Sequence, residues 1–142
     1  MKFRYDGNHI RVQASSTFKH RYSKLASYKG SPFVTGGKEA SDGITTEIYD
    51  GERWLRAEDY PFANSLIWLY ASISTNDAVY IIGGTIDGHP GTQTSKIVKY
   101  DKHGWAHVND LAYRRYSLEA IKYNGRVMVI GGYTDLLDFY EP

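Results

Sequence analysis

The internal repeat is the feature that most limits what this chain can fold into. An apolar run that ends in two glycines occurs three times, at residues 33–37, 79–84 and 127–132. Successive glycine pairs lie 47 and then 48 residues apart. A period of this length is typical of repeat architectures, in which each unit buries its apolar surface against its neighbours. The sequence therefore predicts three tandem units.

A second phrase accompanies the glycine pairs, namely a tyrosine and an aspartate with a tryptophan five residues after the tyrosine. It occurs as Tyr49-Asp50 with Trp54, as Tyr100-Asp101 with Trp105, and in a weakened form as Tyr5-Asp6 with Ile10. Residues 139–142 resemble its beginning. Because both phrases share one period, they indicate a true repeat.

Each unit is predicted to contain four short strands joined by turns, a number that about 47 residues accommodate. Strands are expected at 117–123, 126–130 and 136–140, after a strand at 105–108 that ends the preceding unit. Asn124-Gly125 is a hairpin signal because both positions of a two-residue turn favour positive φ. Residues 28–30 and 75–77 occupy the equivalent places. No window has convincing helical spacing of apolar residues, so little or no helix is expected.

A double glycine that closes an apolar strand, followed by a spaced tyrosine and tryptophan at this period, resembles the Kelch repeat. The likeness covers essentially the whole chain. Arg115 stands where Kelch units carry an arginine, whereas the first two units have His20-Arg21 and Ile67-Trp68 there. The resemblance implies an all-β fold in which four antiparallel strands form one blade of a β-propeller. Residues 1–142 are therefore expected to form three four-stranded blades, half of a six-bladed ring.

The residues of the two phrases are interpreted as structural. Paired glycines relieve crowding where backbones approach each other and turn with unusual φ. A tryptophan buries its large face wherever sheets stack, so Trp54 and Trp105 are expected to pack between blades. The structural set comprises Gly36, Gly37, Tyr49, Trp54, Gly83, Gly84, Tyr100, Trp105, Gly131 and Gly132.

Three blades would leave an apolar sheet face bare at each end of the stack. With about ten apolar side chains on each face, at about 1.5–3 kcal/mol per side chain, leaving both bare forgoes well over 10 kcal/mol. The strands predicted from residues 10–14 to 136–140 make up three blades in permuted phase. We therefore expect two copies to pair head to tail as a homodimer that closes a six-bladed ring. The alternative is an excised part of a longer Kelch protein, which residues 2–6 favour because they duplicate the third strand predicted at 136–140.

Composition excludes several classes of function. Lys and Arg total 17 against 16 Asp and Glu, a formal charge of +1, so no nucleic-acid footprint is present. The absence of cysteine excludes disulfides, cysteine-based zinc sites and the tyrosine–cysteine cofactor of copper radical oxidases with Kelch-like propellers. His103 and His107 have a turn between them rather than metal-ligand geometry. No catalytic residue, metal or cofactor is therefore expected. No signal peptide or membrane span is recognisable, which predicts a cytoplasmic chain without a membrane partner.

Binding of a protein or peptide is the preferred function. In Kelch domains of ubiquitin-ligase adaptors the partner peptide sits on the face formed by residues that open each unit and by loops after the glycine pair. The resemblance implies the following binding residues: His20, Arg21, Tyr22, Lys38, Trp68, Tyr70, Thr85, Arg115, Tyr116 and Tyr133. Cations mixed with aromatic rings are typical of interface anchors and suit an acidic or phosphorylated peptide. The alternative is a carbohydrate-binding propeller similar to sialic acid mutarotases.

Overall fold

The computed structural model of the chain describes residues 2–5, 7–39, 41–87 and 92–134. These residues form fourteen strands and no helix, which confirms the predicted all-β class. In chain order the strands are β1 (Lys2–Tyr5), β2 (Ile10–Gln13), β3 (Leu25–Tyr28), β4 (Ser31–Thr35), β5 (Thr46–Tyr49), β6 (Trp54–Arg56), β7 (Ile67–Trp68), β8 (Ala71–Ser74), β9 (Val79–Ile82), β10 (Thr85–Ile86), β11 (Lys96–Asp101), β12 (Gly104–Asp110), β13 (Tyr116–Tyr123) and β14 (Arg126–Tyr133). The strand predicted at 136–140 and the phrase at 139–142 lie outside the described residues.

Two complete four-stranded antiparallel sheets form the centre of the chain. The first has the order β3-β4-β5-β6, and the second pairs β8, β9, β11 and β12 in the same succession. Each tyrosine of the second phrase lies directly opposite its tryptophan, Tyr49 across from Trp54 and Tyr100 across from Trp105. β13 and β14 form a hairpin that corresponds to the first two strands of a third sheet.

The chain begins with a two-stranded hairpin, β1–β2, rather than with the single strand predicted around residues 10–14. Tyr5 pairs with Ile10 in it, as Tyr49 pairs with Trp54. The weakened phrase at the start of the chain therefore supplies both a third and a fourth strand. β7 and β10 form a separate short pair.

Two of the three predicted turns have the expected backbone. Lys29 and Gly30 have φ of 49° and 80°, and Asn124 and Gly125 have φ of 48° and 72°. This geometry matches the right-handed twist of the strands that the turn joins. The turn at 75–77 has no residue with positive φ; instead the Thr75 amide donates to the carbonyl of Ala78 at 2.8 Å.

An aromatic core joins the first sheet to the second. The buried ring of Phe33 lies 5.2 Å from that of Tyr100 and 6.1 Å from that of Trp105, measured between centroids. Tyr60 packs on the other side of Trp105 at 5.2 Å, and the Trp105 indole donates to the carbonyl of Glu58 at 2.9 Å. Edge and tilted contacts of this kind favour stacked sheets beyond the area that they bury.

A second core joins the second sheet to the β13–β14 hairpin. Its buried members are Ala71, Ile73, Ile82 and Leu118. The opposite face of the hairpin exposes apolar side chains, including Ile121, Met128 and Ile130. The equivalent positions of the repeat in the second sheet are occupied by Ile73, Tyr80 and Ile82. These three residues belong to this core or pack against it. The hairpin therefore has one face covered and the equivalent contact face open within the described residues.

Candidate functional site

Three equivalent turns lie at or just before the start of the first strand of each sheet, namely β3, β8 and β13. Each contains a non-glycine residue with positive φ, namely Tyr22 at 62°, Leu69 at 54° and Ser117 at 56°. The Leu69 amide donates to the Tyr22 carbonyl at 3.2 Å, and the Ser117 amide donates to the Leu69 carbonyl at 2.8 Å. Strained backbone of this kind persists only where the surroundings fix it. The turns therefore form a rigid row from sheet to sheet.

Backbone hydrogen bonds from the first two glycine pairs connect the ends of their strands to this row of turns. The Gly37 amide donates to the Ile67 carbonyl of the next sheet at 2.9 Å, and the Gly84 amide donates to the Arg115 carbonyl at 2.8 Å. The loop after the first glycine pair is tied back as well, since the Lys38 amide donates to the Arg21 carbonyl at 2.9 Å. Side chains on this end of the molecule are thus presented from a fixed backbone.

Four of the predicted binding residues meet in one cluster at this end, which we name the cation–aromatic cluster: Arg21, Tyr22, Lys38 and Trp68. The rings of Tyr22 and Trp68 lie 5.9 Å apart. Lys38 Nζ lies 4.6 Å from the ring centroid of Trp68 and 5.8 Å from that of Tyr22, and Arg21 Cζ lies 5.1 Å from the latter. Cations at these distances are attracted by the ring quadrupoles.

The cluster carries positive charge and an unused hydrogen-bond donor. Within the described part of the chain, neither Arg21 nor Lys38 forms a salt bridge with a carboxylate. The indole Nε1 of Trp68 is buried and has no acceptor among the same residues. A buried donor without a partner costs about 1–3 kcal/mol.

A second group of predicted residues meets on the third hairpin. The rings of Tyr116 and Tyr133 lie 5.6 Å apart with 30° between their planes, and 67% of Tyr133 is exposed. Arg115 donates from Nη1 to the carbonyl of Gly131 at 2.9 Å. This hydrogen bond holds the arginine across the glycine pair beside the two rings.

The remaining three predicted residues point into the protein. Tyr70 is fully buried, and its hydroxyl donates to the Thr35 carbonyl at 2.7 Å. Burial raises the pKa of Tyr70 to about 12. Thr85 is buried where β10 pairs with β7, and the imidazole of His20 is enclosed. These positions support the binding face from beneath rather than line it.

Comparison with known proteins finds two relatives that are named as Kelch proteins. No protein-family model matches the chain. The chain is 29% identical over 119 residues to the Kelch repeat protein M-T8 of Myxoma virus (strain Lausanne), across 80% of this chain and 22% of the viral protein. It is 25% identical over 121 residues to Kelch-like protein 23 of Homo sapiens, across 80% of this chain and 21% of the human protein. The repeating units are similar to the repeats of these Kelch proteins. The chain spans about a fifth of the length of these relatives.

The two complete blades differ in the residues at one buried position. In the first blade, His20 Nε2 lies 2.8 Å from Glu47 Oε2 and His20 Nδ1 lies 2.7 Å from the Gly36 carbonyl oxygen. Both ring nitrogens thus face an acceptor oxygen, so the imidazole connects the Glu47 carboxylate to the backbone at Gly36. Ile67 and Val98 hold the equivalent positions in the second blade. Sequence reasoning missed Glu47, which lies 27 residues from His20.

Asp87 is a second residue that the sequence did not single out. It stands in the loop after the second glycine pair, predicted to project over residues 85–92, of which 88–91 lie outside the described residues. Asp87 Oδ1 accepts hydrogen bonds from the amides of Asn64 and Ser65, both at 2.8 Å. Desolvation would raise the pKa of Asp87, but hydrogen bonds from Ser65 and Asn64 outweigh it and lower the pKa. The carboxylate therefore ties the loops of two adjacent blades together.

We expect Asp87→Ala to lower the free energy of unfolding by about 1–2 kcal/mol, because two backbone amides lose their acceptor and alanine tolerates positive φ less well. Asp87→Asn should lose less, since asparagine keeps an acceptor oxygen and accepts the φ of 57°. Asp77→Ala, on an exposed turn residue, is the control. Urea unfolding at neutral pH measures all three. Equal effects of Asp87→Ala and Asp77→Ala would contradict the proposed tie.

The described parts of the chain contain no helix with the length and apolarity needed to cross a membrane.

Proposed function

We propose that this chain is a non-enzymatic protein-interaction module whose partner binds at the cation–aromatic cluster. The observation that carries the proposal is the convergence on two packed aromatic rings of two cations that form no salt bridge with any described carboxylate. Rings and guanidinium groups on a rigid surface lose little conformational freedom on binding, and they dominate the energetics of interfaces. The names of both relatives place them among Kelch proteins, which supports an interaction module as the general class.

An acidic or phosphorylated peptide fits this cluster best. A carboxylate or phosphate that approaches Lys38 and Arg21 would form charge-assisted hydrogen bonds without displacing an existing ion pair. The exposed pair of Tyr116 and Tyr133 offers a second contact for an apolar residue of the peptide.

We also propose that two copies form a homodimer that closes a six-bladed ring. The exposed Ile121, Met128 and Ile130 on one face of the β13–β14 hairpin, which no described residue covers, support this, because soluble proteins rarely expose large contiguous apolar patches. A ring of two copies would carry two cation–aromatic clusters on one face, so that a bivalent partner would gain avidity.

The binding proposal is tested with Lys38→Ala against an array of peptides rich in Asp, Glu or phosphoserine. We expect the selected peptide to bind Lys38→Ala about tenfold more weakly, the effect of losing about 1.4 kcal/mol, and to bind less tightly as salt increases. The matched control is Lys29→Ala, which removes a lysine stacked on Tyr28 at 5.4 Å in a hairpin turn away from the cluster. Fluorescence anisotropy measures both affinities.

The carbohydrate alternative is separated by the same variants. Unchanged peptide affinity in Lys38→Ala, together with a saturable rise in Tm of the parent chain on addition of N-acetylneuraminic acid, would contradict the interaction module and support a sugar site.

A further inference from the structure

The two complete blades pair their second and third strands in one register. In the first blade Val34 lies opposite Glu47, and in the second blade Ile81 lies opposite Val98. Val34 and Ile81 each stand three residues before the second glycine of a pair. Glu47 and Val98 each stand two residues before the tyrosine of the second phrase, which is Tyr49 or Tyr100. The register is therefore a property of the repeat, which can be transferred to a unit that is divided between two hairpins.

The chain contains two such half blades. β13–β14 turns at Asn124-Gly125 as β3–β4 turns at Lys29-Gly30, so it supplies a first and a second strand. β1–β2 pairs Tyr5 with Ile10 as β5–β6 pairs Tyr49 with Trp54, so it supplies a third and a fourth strand. Within the described residues β14 pairs only with β13, and β1 pairs only with β2. Among the described residues, each hairpin therefore has an edge strand without a partner at the place where the other half of a blade is required.

The glycine pairs show where the following blade must lie. A β-carbon on Gly83 would stand 2.6 Å from the Arg115 carbonyl oxygen of the next blade, and one on Gly36 would collide with the carbonyl of Ile67. A β-carbon on Gly131, which has nearly the same φ, meets nothing within 4 Å. Beside the first two glycine pairs, the next blade fills this space. Beside the third pair, the described residues leave the same space open for a neighbouring blade. Beside the first two pairs, the carbonyl in this space belongs to Ile67 and to Arg115. His20 stands at the equivalent position of the repeat, so the carbonyl of a neighbouring blade in this space would be that of His20.

We propose that β14 of one copy pairs antiparallel with β1 of a second copy, with Val129 opposite Phe3, Met128 opposite Arg4 and Val127 opposite Tyr5. This rests on the proposed dimer and assigns the joint between its subunits. One blade is then built from β13 and β14 of one chain and β1 and β2 of the other. Two such joints, related by a twofold axis, give six blades and leave no unpaired edge. The Ile121, Met128 and Ile130 face packs on the first blade of the second copy.

Cysteine pairs in the cysteine-free chain test this register. We expect the full chain with Phe3→Cys and Val129→Cys, mildly oxidised, to form a covalent dimer of twice 16.1 kDa on a non-reducing gel. A second in-register variant, Tyr5→Cys with Val127→Cys, should do the same. Arg4→Cys with Val129→Cys is one residue out of register, which places the thiols on opposite faces, so it should remain a monomer on the gel.

Three results would overturn the proposal. The first is an intramolecular disulfide in both in-register variants. The second is a dimer in solution that neither in-register pair cross-links. The third is an intramolecular disulfide in Val129→Cys with Asp138→Cys, because it would mean that the strand predicted at 136–140 of the same chain occupies the edge of β14. In all three cases a retained effect of Lys38→Ala on peptide affinity would leave the binding proposal intact.

Discussion

Glu47→Val is expected to lower the free energy of unfolding by about 3–5 kcal/mol, the usual cost of removing one partner of a buried ion pair. The Glu47 side chain is fully buried and that of His20 is 7% exposed, so water cannot replace the lost partner. Glu47 also accepts hydrogen bonds from the amides of Thr17 at 3.0 Å and Phe18 at 3.2 Å. The substitution leaves Nε2 of His20 and the two amides without the carboxylate that they contact.

The second blade indicates which second substitution should restore part of the stability lost in Glu47→Val. It has Ile67 and Val98 where the first blade has His20 and Glu47, so the apolar pair fits this position of the fold. We expect His20→Ile to recover about 2 kcal/mol in the Glu47→Val background, a coupling typical of residues in contact. Recovery stays incomplete because Thr17 and Phe18 keep unpaired amides. Urea unfolding of the four proteins in the double-mutant cycle measures the coupling, and strictly additive losses would contradict the ion pair.

The same pair makes stability depend on pH in a defined direction. Desolvation would raise the pKa of Glu47, but hydrogen bonds from His20, Phe18 and Thr17 outweigh it and hold the pKa below its ordinary value of 4.5. A group whose pKa is lower in the folded state contributes stability above its unfolded pKa and loses it as pH falls through the folded pKa. The parent chain should therefore lose this contribution below about pH 4.5, whereas His20→Ile with Glu47→Val should lack that component.

Gly36→Ala is expected to cost about 3–5 kcal/mol, because it combines backbone strain with a collision between two blades. Gly36 has a φ of 68°, which an alanine adopts at a cost of about 1–2 kcal/mol. Its β-carbon would also lie 2.5 Å from Cγ2 of Ile67 and run into the carbonyl oxygen of that residue. Neither neighbour is a flexible side-chain end, so the blades must separate.

Gly30→Ala is the matched control for this prediction. Gly30 lies in the same blade and has a φ of 80°, but a β-carbon there meets nothing within 4 Å. Only the strain of about 1–2 kcal/mol should therefore remain. Thermal unfolding followed by circular dichroism compares the two variants. Similar Tm losses for Gly36→Ala and Gly30→Ala would mean that the inter-blade contact contributes nothing beyond φ.

Repetition made the strands and their order predictable. The turns at Lys29-Gly30 and Asn124-Gly125 and the strand at Gly104–Asp110 require only local rules, namely positive φ in a two-residue turn and apolar runs of strand length. The hairpin at the start of the chain was harder to predict. Its phrase has Ile10 in place of tryptophan, so residues 2–6 gave only a faint signal of a third strand.

The surface proposed to bind a partner was predictable only in part, since the exposure of its side chains depends on contacts between blades. Arg21, Tyr22, Lys38 and Trp68 meet as the repeat suggests, but Tyr70 turns inward to reach the Thr35 carbonyl of the preceding blade. No local pattern distinguishes Tyr70 from Trp68, two positions earlier. The pair of His20 and Glu47 depends likewise on the packing of a turn against a strand that lies 27 residues further along.

The mass of the chain in solution tests the central claim most directly, namely that one inter-blade geometry repeats through the whole assembly. Light scattering coupled to size-exclusion chromatography, over a dilution series at micromolar concentration, should give twice the 16.1 kDa of one chain. A persistent monomer at every concentration would contradict the account.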